Sequence, residues 1–188
     1  MNENRIKIVY SLNVLLLILI LSFTVISCSN KTKDNLISEN FELTLEGYGA
    51  KGALVDEDMS IGDMLMYAAQ DEYLARGEYA AIMEKYNVTR PYSNIMKSEE
   101  THLDYLKEIY ETYKMEFPKD ESSAQLVIPT SLLEAAKIGV QAEIDNITMY
   151  EKFLSYNLPE DIKKVFDSLM KGSISHLNAF QNQVDKLS

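Results

Sequence analysis

Four stretches of this chain repeat apolar residues three and four positions apart, and each run is broken near its middle by a polar residue. That period draws one continuous stripe on an α-helix; a strand would alternate every two residues. The first stretch starts near Ser60 and runs to about Tyr86, with Leu65, Ala68, Glu72, Ala75, Tyr79, Ile82 and Tyr86 on its stripe. The second follows Pro91 and ends near Met115, with Ile95, Glu99, His102, Leu106, Ile109 and Tyr113. The third starts at Thr130 or Ser131 and places Ala136, Val140, Glu143, Ile147, Tyr150 and Leu154 in line. The fourth starts at Pro159 and aligns Ile162, Val165, Leu169, Ser173, His176, Phe180 and Val184. Ser60-Ile61-Gly62-Asp63 resembles a capping box with Asp in place of Glu, and Ser131-Leu132-Leu133-Glu134 is a full one. Pro159 suits a first helical turn. Only 7 glycines and 4 prolines occur in 188 residues, which favours long helices over a turn-rich β fold. The expected fold class is all-α.

The connections constrain topology. The first and second helices, and the third and fourth, are joined by a few residues, so each pair is expected to form an antiparallel hairpin. Between the second and third helices lies Glu116 to Pro129. Fully extended, it reaches roughly 45 Å, whereas a helix of about 24 residues is roughly 36 Å long. It can therefore cross the bundle, as one long connection does in ferritin-like four-helix bundles. A surface loop on an up-down-up-down bundle is the alternative.

Ahead of these helices, Arg5 and Lys7 precede an apolar run, and the run ends in Val25-Ile26-Ser27-Cys28. Basic, then apolar, then small residues is a secretory pattern. The last four residues resemble a bacterial lipobox, whose cysteine is acylated and becomes the first mature residue. Residues 1–27 are thus expected to be a lipoprotein signal peptide, with Cys28 as the lipidation site. An uncleaved transmembrane anchor is the alternative, since the run approaches the ~20 residues a span needs. Either way the domain lies outside the cytoplasm. Residues 28–57, polar and with Gly47, Gly49 and Gly52, are read as a tether, partly ordered at most, and residues 58–188 as the bundle. Cys28 is the only cysteine, which excludes an internal disulfide, a CxxC redox motif and a thiolate metal site. The net charge of −11 opposes binding to nucleic acid.

The polar interruptions of the stripes are Glu72, Glu99, His102, Glu143, Ser173 and His176, and they include both histidines of the chain. An ionised carboxylate buried without a partner costs several kcal/mol, and three facing one another also repel. Sharing of protons relieves part of this. One or two divalent cations would relieve most of it. Mixed carboxylate and imidazole ligation suits iron first, with manganese or zinc as alternatives. In Glu99-x-x-His102 both side chains reach the same point from one helix face. Dimetal carboxylate bundles use one Glu from each of two helices and a Glu-x-x-His from each of the other two. Glu72 and Glu143 supply the single residues; the fourth helix offers Ser173-x-x-His176, with Ser where Glu is expected. The similar spacings of Glu72 to Glu99 and of Glu143 to Ser173 suggest a duplicated hairpin. The metal candidates are therefore Glu72, Glu99, His102, Glu143 and His176. Asn146, three positions after Glu143, is a candidate weak ligand or an outer donor, and Ser173 a candidate for outer support of these ligands. Tyr79 and Tyr150 are read first as core residues whose hydroxyls need a partner, with a bond to a ligand as the sharper alternative. Glu78, Glu100, Glu108 and Glu111 fall off the stripes and are expected to face solvent. A buried polar network without metal is the competing account of the whole set.

Several stretches resemble an uncharacterised ferritin-like domain family of bacteria and archaea, related in layout to rubrerythrins. They are Asp71-Glu72-Tyr73-Leu74-Ala75-Arg76, Tyr92-Ser93-Asn94-Ile95, Ser98 to His102, Ala135 to Gly139 with Glu143, and Leu169 with Gly172 to Phe180. The last is the most specific, as a Gly-Ser-x-x-His-Leu-x-Ala-Phe pattern. The resemblance implies a ferritin-like bundle whose metal site has no defined activity, with the five candidates at ligand positions. Ser173 departs from the rubrerythrin Glu, and Asn146 stands where a further carboxylate would be expected, which puts a second metal position in doubt. No rubredoxin-like cysteine cluster is present.

Three functions follow as expectations. The first is an oxidoreductase with a di-iron or mixed-metal site acting on peroxide, oxygen or ferrous iron. The second is a metal-binding or sensing module without turnover, and the third a structural or interaction bundle. The membrane, through Cys28, is the expected partner; a homodimer and the small-molecule substrate are left open. The lipid anchor has a direct test. Wild-type protein in its native host is expected to incorporate labelled fatty acid, and Cys28→Ala to abolish this. Labelling that survives the substitution excludes acylation at Cys28.

Overall fold

The computed structural model describes residue 41 and residues 43–188, so the expected signal segment, Cys28 and the tether up to residue 40 lie outside the described residues. The described chain is all-helical: α1 (Gly49–Val55), α2 (Ile61–Tyr86), α3 (Tyr92–Thr112), α4 (Leu132–Leu154) and α5 (Glu160–Leu187), with a 3₁₀ turn at Ser122–Ala124. Among the described residues, no helix is long and apolar enough to cross a membrane.

Local chemistry sets the helix ends. Ser60 Oγ accepts from the Asp63 amide at 3.0 Å, and the Asp63 carboxylate accepts from the Ser60 amide at 2.9 Å, so the capping box closes with Asp in the role of Glu. α2 stops at Asn87, in the left-handed region with φ 49°. At α4, Ser131 Oγ accepts from the Glu134 amide at 3.1 Å, but the Glu134 carboxylate accepts from the Thr130 amide instead. The expected full box is therefore closed one residue early. Pro159 caps α5 from just outside its first turn.

The segment expected to be a tether is not loose throughout. Its residues 43–57 pack on α2, and Ala50 and Ala53 are buried. The glycines read as flexibility instead permit close approach. A Cβ on Gly52 would lie 2.7 Å from the Tyr67 ring and 2.6 Å from the Gly47 carbonyl carbon. Tyr67 donates to Asp56 at 2.9 Å and accepts from the Glu46 amide at 2.7 Å. Lys152 of α4 donates to the Ala53 and Asp56 carbonyls at the end of α1, where a cation is favoured. This cover is why the first turns of α2 bury Met64, Tyr67 and Ala69 as well as the stripe residues Leu65 and Ala68.

α2 packs most extensively on α3, and α4 on α5. The connection between the pairs runs back along α2. The Tyr73 hydroxyl donates to the Pro118 carbonyl at 3.1 Å, Arg76 pairs with Asp120 at 2.6 Å, and Lys85 and Tyr86 both donate to the Pro129 carbonyl. It thus returns the chain to the C-terminal end of α2, where α3 also begins, and α4 sets out in the same direction as α3. Glu78 lies half-buried under this connection, bonded by the Val127 backbone, and not on the solvent face as expected. Glu100, Glu108 and Glu111 are exposed. Two apolar clusters result. One holds Leu65, Leu106, Tyr150, Phe153, Phe166 and Leu169, the other Tyr79, Ile82, Tyr92, Ile95, Ala135 and Phe180.

Removing residues 1–57 would uncover one side of Tyr67 and remove its Asp56 partner. A chain starting at residue 58 is expected to lose about 2–4 kcal/mol in denaturant melts against the full chain, the scale of re-exposing one or two large side chains. Equal stability would show that α1 contributes nothing to the core.

Candidate metal centre

Between the two apolar clusters the four long helices each present polar side chains to one point. Glu72 comes from α2, Glu99 and His102 from α3, Glu143 from α4 and His176 from α5, and all five are buried. They fall into two groups, Glu72 with Glu99 and His102, and Glu99 with Glu143 and His176, whose ligand atoms lie within 4.8 Å of one another in each. Glu99 belongs to both. Its Oε2 is 2.9 Å from His102 Nδ1, and its Oε1 is 3.1 Å from His176 Nδ1. His102 Nδ1 is also 3.0 Å from Glu72 Oε2, and His176 Nδ1 is 3.6 Å from Glu143 Oε1. Both imidazoles thus turn the same nitrogen inward. His176 Nδ1 makes no aligned hydrogen bond despite its short contacts. Several oxygens and nitrogens aimed at one point, within 4.8 Å of one another in each group, are the geometry of groups that can hold a metal ion.

Tyrosines fix one oxygen each of Glu143 and Glu72; on Glu72 it is the oxygen turned away from His102, on Glu143 the same Oε1 that faces His176. The Tyr79 hydroxyl of α2 donates to Glu143 at 2.9 Å, and the Tyr150 hydroxyl of α4 donates to Glu72 at 2.7 Å. Tyr79 follows Glu72 by seven positions and Tyr150 follows Glu143 by seven, so the two helices exchange donors symmetrically. The shared Glu-x₆-Tyr spacing is the sequence signal for these two bonds, the sharper of the two expectations for Tyr79 and Tyr150. Asn146 and Ser173 stand outside both groups. Ser173 Oγ donates to Asn146 Oδ1 at 3.2 Å and also to the Leu169 carbonyl, and Asn146 Nδ2 donates to Asp71 at 2.5 Å. Asp71, which lies off the α2 stripe, accepts from the Ala50 amide at 2.8 Å and so links α1 to the centre. It lies in the wall of a cavity of about 310 Å³ bounded also by Tyr48, Leu74 and Ala142.

Burial and proximity move the proton affinities far. Burial pushes Glu72 up to about 8, with the neighbouring Glu99 charge adding to it against the pull of His102. Burial also raises Asp71 to about 7, and raises Glu143. Burial opposes ionisation of Glu99 as well, but the two histidines facing it outweigh this and hold it at about 2. Burial lowers the histidines, and the facing carboxylates more than reverse it, to about 10 for His102 and about 9 for His176. Tyr79 and Tyr150 are pushed well above the phenol range by burial and by the carboxylates they meet.

The sign of the resulting pH dependence follows from linkage. The histidines gain stability that is complete below their unfolded value near 6.5 and is lost as pH rises through about 9 to 10. Glu72, also raised, loses stability between its unfolded value near 4.5 and about 8. Glu99 acts oppositely, but only as pH falls toward 2. The metal-free protein is therefore expected to melt at a lower temperature at about pH 9 than at about pH 6. A metal must displace the Nδ1 protons, so its binding at neutral pH should release protons, measurable by calorimetry in buffers of different ionisation enthalpy. A melting temperature that rises across this window would contradict the assignment of charges.

A family model described as "Uncharacterized protein domain (DUF2202)" matches residues 62–187, a stretch that contains α2 from its second residue, α3 to α5, and all five candidate ligands. Uncharacterized protein MJ0754 of Methanocaldococcus jannaschii is 32% identical over 131 residues, 62% of this chain and 70% of that protein. The crystal structure of hypothetical protein MJ0754 from Methanococcus jannaschii is similar with a TM-score of 0.60 at 28% identity, covering 70% of this chain and 85% of that one. On the match over α2 to α5, the chain belongs to the family of the uncharacterized protein domain DUF2202.

Proposed function

We propose that this chain is a ferritin-like, four-helix metal protein whose centre binds one or two divalent cations, iron first, and that it acts as an oxidoreductase on peroxide, oxygen or ferrous iron. The observation behind the reading is the pair of buried Glu/His groups that share Glu99. The ferritin-like layout is supported by the two helix pairs and by the connection that returns along α2. The donor set fits a metal. Three carboxylates and two neutral imidazoles balance one or two divalent cations to within a single charge, and oxygen with imidazole suits iron, manganese or zinc. The buried His176 Nδ1 without an aligned partner fits as well.

In this reading Glu72, Glu99 and His102 would hold one ion and Glu99, Glu143 and His176 the other. The bound metal would supply electron transfer and Lewis acidity. The protein's own part is positional. Tyr79 and Tyr150 each hold one oxygen of Glu143 and Glu72. The apolar clusters on either side exclude water. The secretory and lipobox pattern supports an extracytoplasmic, membrane-anchored location, and the acidic charge supports a partner other than nucleic acid.

One observation favours a second reading, a metal-binding module without turnover. The side that a second Glu-x-x-His would complete is closed by the neutral pair Ser173 and Asn146, bonded to each other and to Asp71.

Full-length protein purified without chelator is expected to contain iron or another divalent metal. Chelation should lower its melting temperature, since a ligand at a hundredfold excess over its Kd adds about 2.7 kcal/mol. His102→Ala and Glu143→Ala should hold less metal and respond less to chelator. Turnover of peroxide or ferrous iron separates the oxidoreductase from the binding module. A reconstituted wild type that holds no metal and ignores chelator excludes both and leaves a structural polar network.

A further inference from the structure

We infer that Gly172 on α5 is the seat that fixes the His102 imidazole at its metal-binding position, a role that rests on the metal reading above. A Cβ built at Gly172 would lie 2.5 Å from both Cε1 and Nε2 of His102. Glycine is there because a ring lies against the α5 backbone. Backbone freedom does not explain it, since residue 172 sits within the regular helix Glu160–Leu187, where glycine is a poor helix former.

The ring is buried and held by its neighbours on the side away from Gly172. On its inward side Nδ1 is held 3.0 Å from Glu72 and 2.9 Å from Glu99. Ser98 Oγ lies 3.4 Å from Nε2, and the His176 ring stands 5.7 Å away, centre to centre. A methyl group at 172 must therefore drive the imidazole into the carboxylates or rotate it off them. None of the residues of the Glu72, Glu99 and His102 group comes from α5. Gly172 gives that helix control of this group nonetheless, while His176 serves the other.

Displacing a ligand through its support typically weakens metal binding roughly 10- to 100-fold. The test uses the full chain, with melting of the metal-free protein and binding of cobalt(II), whose d–d absorption reports coordination. Gly172→Ala is expected to melt below wild type. In a His102→Ala background the same substitution should cost nothing or raise the melting temperature, because the methyl then has room and alanine favours the helix. That double variant keeps the test open if Gly172→Ala alone does not fold. Equal losses in both backgrounds overturn the seat. Gly172→Ala should also bind cobalt(II) roughly 10- to 100-fold more weakly, with a shifted d–d band. Gly139→Ala is the control. The three atoms nearest its methyl would all belong to the Phe180 ring, at 2.8 to 2.9 Å, so it should lose stability but keep wild-type affinity. Wild-type affinity and spectrum in Gly172→Ala overturn the positioning role. A wild type that takes up no cobalt(II) refutes the metal reading and the positioning role with it, while the melting cycle decides the contact by itself.

Discussion

Glu99 is the residue on which the centre depends. One of its oxygens faces His102 and the other faces His176, so a single carboxylate orients two imidazoles that arrive from different helices. It is also the carboxyl whose proton affinity is held down, at about 2, while burial raises Glu72 and Glu143 around it. The difference is physical. Glu99 has two cationic neighbours, whereas Glu72 and Glu143 each face one histidine and take their second contact from a neutral phenol. Without Glu99 both histidines would lose a partner they share, and burial would act on them unopposed from that side.

Such a layer is unfavourable in a helical bundle unless its members satisfy one another, since partly satisfied buried networks cost more than an apolar core. The sequence surrounds it with aromatic packing. Tyr79, Tyr92 and Phe180 stack on one side, with ring centres 5.4 to 6.1 Å apart, and Tyr150, Phe153 and Phe166 on the other, at 5.2 to 6.0 Å. Tyr79 and Tyr150 belong to both kinds of structure, with their rings in the apolar clusters and their hydroxyls on the carboxylates. Two side chains therefore tie the polar layer to the apolar core, each by a ring packed in the core and a hydroxyl hydrogen-bonded to a carboxylate.

The helices were legible because the three-four repeat is a direct image of the surface each helix buries, and because Ser60 and Ser131 mark two of the starts with side-chain chemistry. The five buried Glu and His residues were legible for the same reason, as the polar breaks in those repeats. What escaped lies where tertiary contact decides. α1 is too short to display a period, and its glycines look the same in sequence whether they permit motion or close packing against Tyr67. Asp71 is off the stripe and becomes part of the centre's surroundings only because α1 and Asn146 reach it from two sides. Glu78 is covered by a connection whose path no local pattern encodes. Gly172 shows its purpose only when the ring of His102 is placed beside it.

The exchange of tyrosine donors bears on how such a chain can have come about. Each half, one hairpin, supplies the hydroxyl that completes the other half's carboxylate. A single hairpin of this kind is incomplete alone, yet two identical copies would complete each other across a twofold axis, as isologous dimers do. Once a continuous chain joins the copies, symmetry is no longer enforced, and equivalent positions are free to differ. Glu99 on α3 and Ser173 on α5 occupy such equivalent positions, and so do Ser98 and Gly172. Fusion thus turns a self-complementary pair into a molecule with two unlike sides, in which one half can be altered without altering its twin.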